Sequence, residues 1–311
     1  MKKYTYCYID DVIWVFRDLT RQKPESMFDH PFLGMLKRLH EKYNMKVQLN
    51  LFYRTDNYYG NDDFCLCETT DAYKSEWEKA SDWLHLAFHA RQEFPDYPYI
   101  NASYEQVKTD FEAIKKEVCR FASEKNWGRA VVPHWRPISR EGCHALKDCG
   151  VMMTSATVGK RTEYNGDPNS LPYGHANRLL CNRKPETGIF FRDTLDLAIR
   201  NSICAYNHLT EEEIEPTYYN MDYVVDKETG LYFKCFLAGP VLNLSTLDGI
   251  SEEMDRYIGN EYVGFGTHEQ YFYPEYFVYQ PEYEAKFDIA CKKLYDNGYE
   301  FVFIEDAVEK S

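Results

Sequence analysis

Short runs of β-branched and aromatic residues alternate along this chain with longer stretches whose apolar positions recur every three or four residues, the pattern of βα units around a parallel sheet. Tyr4–Ile9 predicts a first strand, ending abruptly in Asp10-Asp11. Pro31–Tyr43 sets Phe32, Met35, Leu36 and Leu39 on one helical face, and Val47–Tyr53 follows as a second strand by alternation. Gly60–Thr70 reads as a loop, Glu76–Asp82 as a short helix and Trp83–Ala90 as a third strand. Tyr104–Lys125 is a long amphipathic helix, Ala130–His134 a fourth strand, Glu141–Asp148 a helix closed by Gly150, and Val151–Ser155 a fifth strand.

From Val158 to Thr187 the text turns polar and rich in Pro and Gly, which predicts a long loop of the kind that more often carries function than not. Gly188–Phe191 then reads as a strand, Thr194–Tyr206 as a helix, and Tyr219–Val225 with Leu231–Leu237 as a β-hairpin that interrupts the βα rhythm. Thr246–Ile258 is helical, Tyr262–Gly266 a strand, Tyr283–Asp296 a helix and Phe301–Ile304 the closing strand. These elements predict an α/β fold, a single domain over residues 1–311, with a loop at 158–187 and a hairpin-containing insertion at 207–245.

Composition narrows the partners. With 36 Lys+Arg against 50 Asp+Glu the net charge is −14, and no basic cluster offers a footprint for nucleic acid or an anionic membrane surface. The first residues lack the apolar segment and cleavage site of a secretory leader, and no apolar run is long enough to span a membrane. Ten scattered cysteines in a chain this large predict reduced thiols, hence a cytoplasmic protein; the one-residue gap of Cys65-Leu66-Cys67 is not a structural zinc spacing. Aromatic residues make up 16% of the chain, 27 of them Tyr, a supply that suits a sugar-binding cleft as well as an ordinary core.

Candidate chemistry gathers at strand ends, where the loops of a parallel barrel converge. Asp10 and Asp11 point in different directions from an extended chain, so that one can bind a cation while the other faces a reacting water; the pair equally suits a solvated helix cap. His85 and His89 are four apart and share a face whether the segment is strand or helix, and two imidazoles with a carboxylate make a first shell for a divalent ion. Core histidines are the alternative. After the fourth strand, Arg136 can orient a carboxylate and Trp135 can stack on a sugar, and His268 at the late strand end is a proton donor for a leaving group.

In order along the chain these strand ends resemble the polysaccharide deacetylase superfamily, metal-dependent de-N-acetylases and esterases on an irregular seven-stranded (β/α) barrel. Tyr8-Ile9-Asp10-Asp11 matches that family's Thr-Phe-Asp-Asp, His85-Leu86-Ala87-Phe88-His89 its His-(Ser/Thr)-x-x-His, and Arg136-Pro137-Ile138-Ser139 its Arg-Pro motif. Phe265-Gly266-Thr267-His268 matches the Leu-x-His motif only in the histidine, Leu86 replaces a hydroxyl side chain, and the family's Trp- and Asp-bearing fourth motif has no counterpart. The resemblance implies Asp10 as base, Asp11, His85 and His89 as metal ligands, His268 as acid and Arg136 as the residue steadying Asp10. It also implies a divalent ion, zinc first and cobalt, nickel or iron after it. A carbohydrate substrate would then rest on Trp14, Phe52, Tyr53, Trp135 and Tyr271. The competing readings are hydrolysis of another amide or ester on the same barrel, a catalytically silent carbohydrate-binding barrel, and a structural α/β domain.

Overall fold

The computed structural model describes residues 2–55, 63–155, 209–210, 212–213, 216–217, 223–234, 236 and 239–309. The loop expected at 158–187, the strand at 188–191 and the helix at 194–206 lie outside the described residues, as does part of the 207–245 insertion.

Among the described residues nine strands form two sheets. In the first, β1 (Lys3–Val12) lies between β2 (Val47–Phe52) and β8 (Tyr262–His268), with β3 (Leu84–Ala90) beyond β2, all parallel. β9 (Tyr299–Phe301) also pairs with the start of β1, along Lys3–Thr5, below the stretch that β2 occupies. The second sheet runs β4 (Ala130–Val131), β5 (Met153–Ser155), β7 (Tyr232–Lys234) and β6 (Tyr223–Val225). The predicted hairpin is present as antiparallel β6 and β7, but β7 pairs in parallel with β5, so the hairpin extends the second sheet.

The expected ring of seven strands is not what the pairing shows. Among the described residues the two sheets meet through isolated bridges, Leu86↔Trp127 beside β3 and Val241↔Gly266 beside β8, and continuous pairing does not close a barrel. Several strands of the second sheet are only two or three residues long, too short to carry a ladder round the circle.

The two faces of β1 divide the core. Tyr4, Tyr6 and Tyr8 point between the sheets and pack with Val132, Met153, Phe236 and Ile304, while Cys7 and Ile9 point outward under the helices. Room for Tyr6 and Tyr8 comes from β8, which sets Gly264 and Gly266 opposite them. A Cβ on Gly264 would lie 2.1 Å from the Tyr6 ring. The outer layer includes α1 (Trp14–Gln22), α2 (Pro31–Tyr43), α3 (Lys74–Lys79), α4 (Tyr104–Phe121) and α5 (Arg140–Asp148). α6 (Ile250–Asp255), α7 (Tyr283–Asp296) and α8 (Asp306–Glu309) follow. Ser103 and Ser139 cap α4 and α5 through their side chains. None of the described helices is long and apolar enough to cross a membrane. Cys65 and Cys67, expected as free thiols, are joined as a disulfide, their Cα atoms 5.1 Å apart and so within bridging range.

Candidate metal centre

The parallel strands place their C-terminal ends together, and two of them break register there. Between Ile9 and Val12, β1 carries one residue more than β2, and between Leu51 and Phe52 the extra residue is on β3, at His89. Bulges of this kind re-aim side chains. Asp11 takes a left-handed backbone (φ 63°), so the two carboxylates do not part to opposite faces as the extended pattern predicted. Both are buried beside one imidazole: Asp11 Oδ1 is 3.0 Å from His89 Nε2 and Asp10 Oδ1 is 3.9 Å from His89 Nδ1.

The third member comes from the segment after β4. His134 Nδ1 lies 3.3 Å from Asp11 Oδ1 and 3.1 Å from His89 Nε2, and this trio is buried. Each imidazole is oriented from behind by a backbone carbonyl, which can only accept. His89 donates Nδ1–H to Val132 O, and His134 donates Nε2–H to Glu93 O at 3.0 Å. The nitrogens left over, His89 Nε2 and His134 Nδ1, face each other and a carboxylate oxygen. Three lone pairs converging without a donor repel unless a proton or a cation lies among them. Ligands at 2.0–2.2 Å from a tetrahedral ion stand about 3.3–3.6 Å apart, a few tenths of an ångström beyond the observed separations. The donor set, two imidazoles and one carboxylate, fits a divalent ion of intermediate softness.

Electrostatics agree with the geometry. Burial works against ionisation of Asp11, but the His134 and His89 imidazoles beside it and the nearby His268 outweigh it and hold the carboxyl well below its usual range. Burial likewise opposes charge on His89, yet Asp10 and Asp11 raise its pKa above the ordinary imidazole value.

Asp10 is held by an amide chain in the sheet interior. Asn50 Nδ2 donates to Asp10 Oδ1 at 2.7 Å, and Gln48 Nε2 donates to Asn50 Oδ1 at 2.7 Å. Opposite Asp10 in the β1–β8 ladder stands His268, whose Nδ1 donates to Asn243 Oδ1 at 2.9 Å.

The structure does not bring every expected residue to this point. His85 is the second residue of β3, and four residues of strand separate it from His89 by about 13 Å, so a shared face does not make a shared ligand set. Its ring stacks on Phe303 with centroids 3.4 Å apart, and its Nδ1 is 3.6 Å from Glu305 Oε1. Burial pushes the Glu305 carboxyl up, but His85 more than offsets this and holds it below the usual carboxylate range. Arg136 does not steady Asp10; its Nη2 is 3.4 Å from the Tyr8 hydroxyl, because the chain turns through two consecutive left-handed residues, Trp135 (φ 62°) and Arg136 (φ 77°).

Of the aromatic candidates, Phe52 packs on both His89 and His134, Trp135 on His134 and Tyr271 on His268. Trp14 lies instead against Tyr273 and Tyr276, and Tyr53 under Arg91. His134, Asn50 and Asn243 were missed. A visible signal existed for His134: it ends a predicted strand in the same chain order as the others. The two amides gave none, since each acts through a strand distant in sequence.

No family model matches the chain, and no curated protein matches it. Solved structures resemble it in fold. The 4-α-glucanotransferase of Thermococcus litoralis aligns over 100% of this chain and 41% of its own, at 10% identity and a TM-score of 0.51. The CE4 domain of a multidomain xylanase from the hindgut metagenome of Trinervitermes trinervoides aligns over 100% and 91%, at 9% identity and 0.47. A family 4 acetyl xylan esterase from Clostridium thermocellum, in complex with a cobalt ion, aligns over 99% and 91%, at 10% identity and 0.42. At these identities the likeness is one of fold, and the chemistry rests on the side chains themselves.

Proposed function

We propose that this protein is a metal-dependent hydrolase of the polysaccharide deacetylase type, removing an N- or O-linked acetyl group from a carbohydrate. The observation that carries the reading is the convergence of Asp11, His89 and His134, with the second ring nitrogen of each histidine already engaged, at the strand ends beside Asp10. Held by those three residues, a divalent cation, zinc first and cobalt, nickel or iron after it, would supply a Lewis acid for the acyl carbonyl and acidify a nearby water.

The protein's own groups do the rest. Asp10, anchored by Asn50, accepts the proton of the attacking water. His268, with Nδ1–H committed to Asn243, delivers a proton from Nε2 to the departing amine or alkoxide. Phe52 packs the two histidines on their buried side, keeping their ring planes fixed, while half-buried Trp135 offers an aromatic face for a sugar ring.

The test is release of acetate from an acetylated amino-sugar oligomer and from acetylated xylan, followed by mass, with zinc or cobalt supplied. Asp10→Asn should lower kcat by about 100-fold or more, the scale of a lost general base. Turnover unchanged in that variant would remove Asp10 from the role. Loss of mass other than one acetyl unit per event would reject deacetylation.

A further inference from the structure

Only Ile13 separates the end of β1 from the start of α1, whose first N–H groups need acceptors. The residue at its N-cap position, Ile13, has no side chain to offer. The acceptor comes from the far end of the chain. Glu269 Oε2 accepts from Ile13 N at 2.7 Å and Trp14 N at 2.8 Å, and Oε1 accepts from Val15 N at 2.8 Å. Tyr273 adds its hydroxyl to Oε1 at 3.3 Å. Glu269 is fully buried and directly follows His268.

We propose that Glu269 is a positioning residue that clamps the Asp10-Asp11 bulge to the strand end bearing His268. The inference rests on the reading of Asp11 as a metal ligand and Asp10 and His268 as the base and acid. A Ser or Asp at position 13 would cap the helix locally, without burying a carboxylate. Capping from β8 does something a local cap does not: it ties the backbone two residues beyond Asp11 to the backbone beside His268. The tie bears on Asp11, whose left-handed φ of 63° is a conformation that costs a side-chain-bearing residue more than glycine, even where Asp tolerates it better than most. Burial pushes the Glu269 carboxyl up to about 7 against the pull of the three N–H groups, so the clamp is held at a real electrostatic cost.

In Glu269→Gln the amide nitrogen cannot accept, and one of the three backbone N–H groups faces another donor. The experiment measures zinc affinity by competition with a chromophoric chelator, kcat and KM for acetate release, and the melting midpoint, in wild type, Glu269→Gln and Glu269→Asp. The clamp predicts that folded Glu269→Gln loses about 10–100-fold in zinc affinity, the scale seen when groups behind metal ligands are removed. It also predicts a lower kcat at unchanged KM, with Glu269→Asp recovering part of both because it keeps an anion with two acceptor oxygens. A purely structural Glu269 predicts a lower melting midpoint with zinc affinity and kcat of the folded protein unchanged, and that result overturns the proposal. Should Glu269→Gln not fold, the same comparison between wild type and Glu269→Asp decides by the same criterion. Wild type that binds no zinc overturns the metal reading and the clamp together; unchanged variants of a zinc-binding wild type overturn the clamp alone.

Discussion

Glu269 has the only carboxyl group among those described whose pKa is pushed up as far as about 7, and this makes a prediction about stability. Burial favours the neutral acid, while the N–H groups of Ile13, Trp14 and Val15 and the charge of Arg17 favour the anion; Tyr273 also faces the group. Between an unfolded value near 4.5 and a folded value near 7, the native protein keeps a proton that the unfolded chain has released. Native stability therefore falls as pH rises through that interval, by up to about 3 kcal/mol from this group. Urea denaturation at pH 5 and pH 8 should show this fall in wild type and a smaller one in Glu269→Gln, which has no proton to lose. An equal slope in both would assign the pH dependence elsewhere. At the same scale lies the reason that one expected ligand, His85, does not lie beside the others. His85 and His89 satisfy a motif by spacing, but spacing carries a face and not a distance, and in a strand four residues are about 13 Å. Only the structure shows that a bulge places His89 at the strand end and leaves His85 against Phe303.

Among the elements, the ones whose signals are local were legible. α2, with Pro31 at its start and an apolar stripe through Leu39, and α7 fall where periodicity placed them, as does β2 to within one residue. α1 was not anticipated, because its N-terminal acceptor is 254 to 256 residues away in sequence. The helix expected over 246–258 forms only at Ile250–Asp255, preceded by a turn in which Thr246 Oγ1 accepts from Gly249 N. Pairing of β1 with β8 shows a constraint that neither strand displays alone: Tyr6 and Tyr8 on one face glycines on the other, while Tyr4 stacks on Tyr262. Gly264→Ala would drive a methyl into the Tyr6 ring and the Phe236 carbonyl, 2.1 and 2.3 Å from the new carbon. Such overpacking should cost about 2–3 kcal/mol, measured as a lower urea midpoint with unchanged slope. Stability within 0.5 kcal/mol of wild type, the usual scatter of surface changes, would mean that β8 can move aside.

For the whole molecule, the α/β class and the parallel order of the first sheet followed from the alternation of strand and helix patterns, whereas the meeting of the two sheets through single bridges did not. That meeting is what assembles the site. Asp11 comes from β1, His89 from β3, and His134 from the chain leaving β4 in the other sheet, joined to β3 by His134 N donating to His89 O at 3.1 Å. On the proposed reading, metal affinity depends on how the sheets are held together, and zinc should raise the melting midpoint with the logarithm of its free concentration above the dissociation constant. An equilibrium zinc titration of wild type, His134→Ala and His85→Gln tests this most directly. The account predicts one zinc per chain in wild type, an unchanged constant in His85→Gln and a loss of at least about 10-fold in His134→Ala. Binding that persists in His134→Ala and disappears in His85→Gln would contradict it.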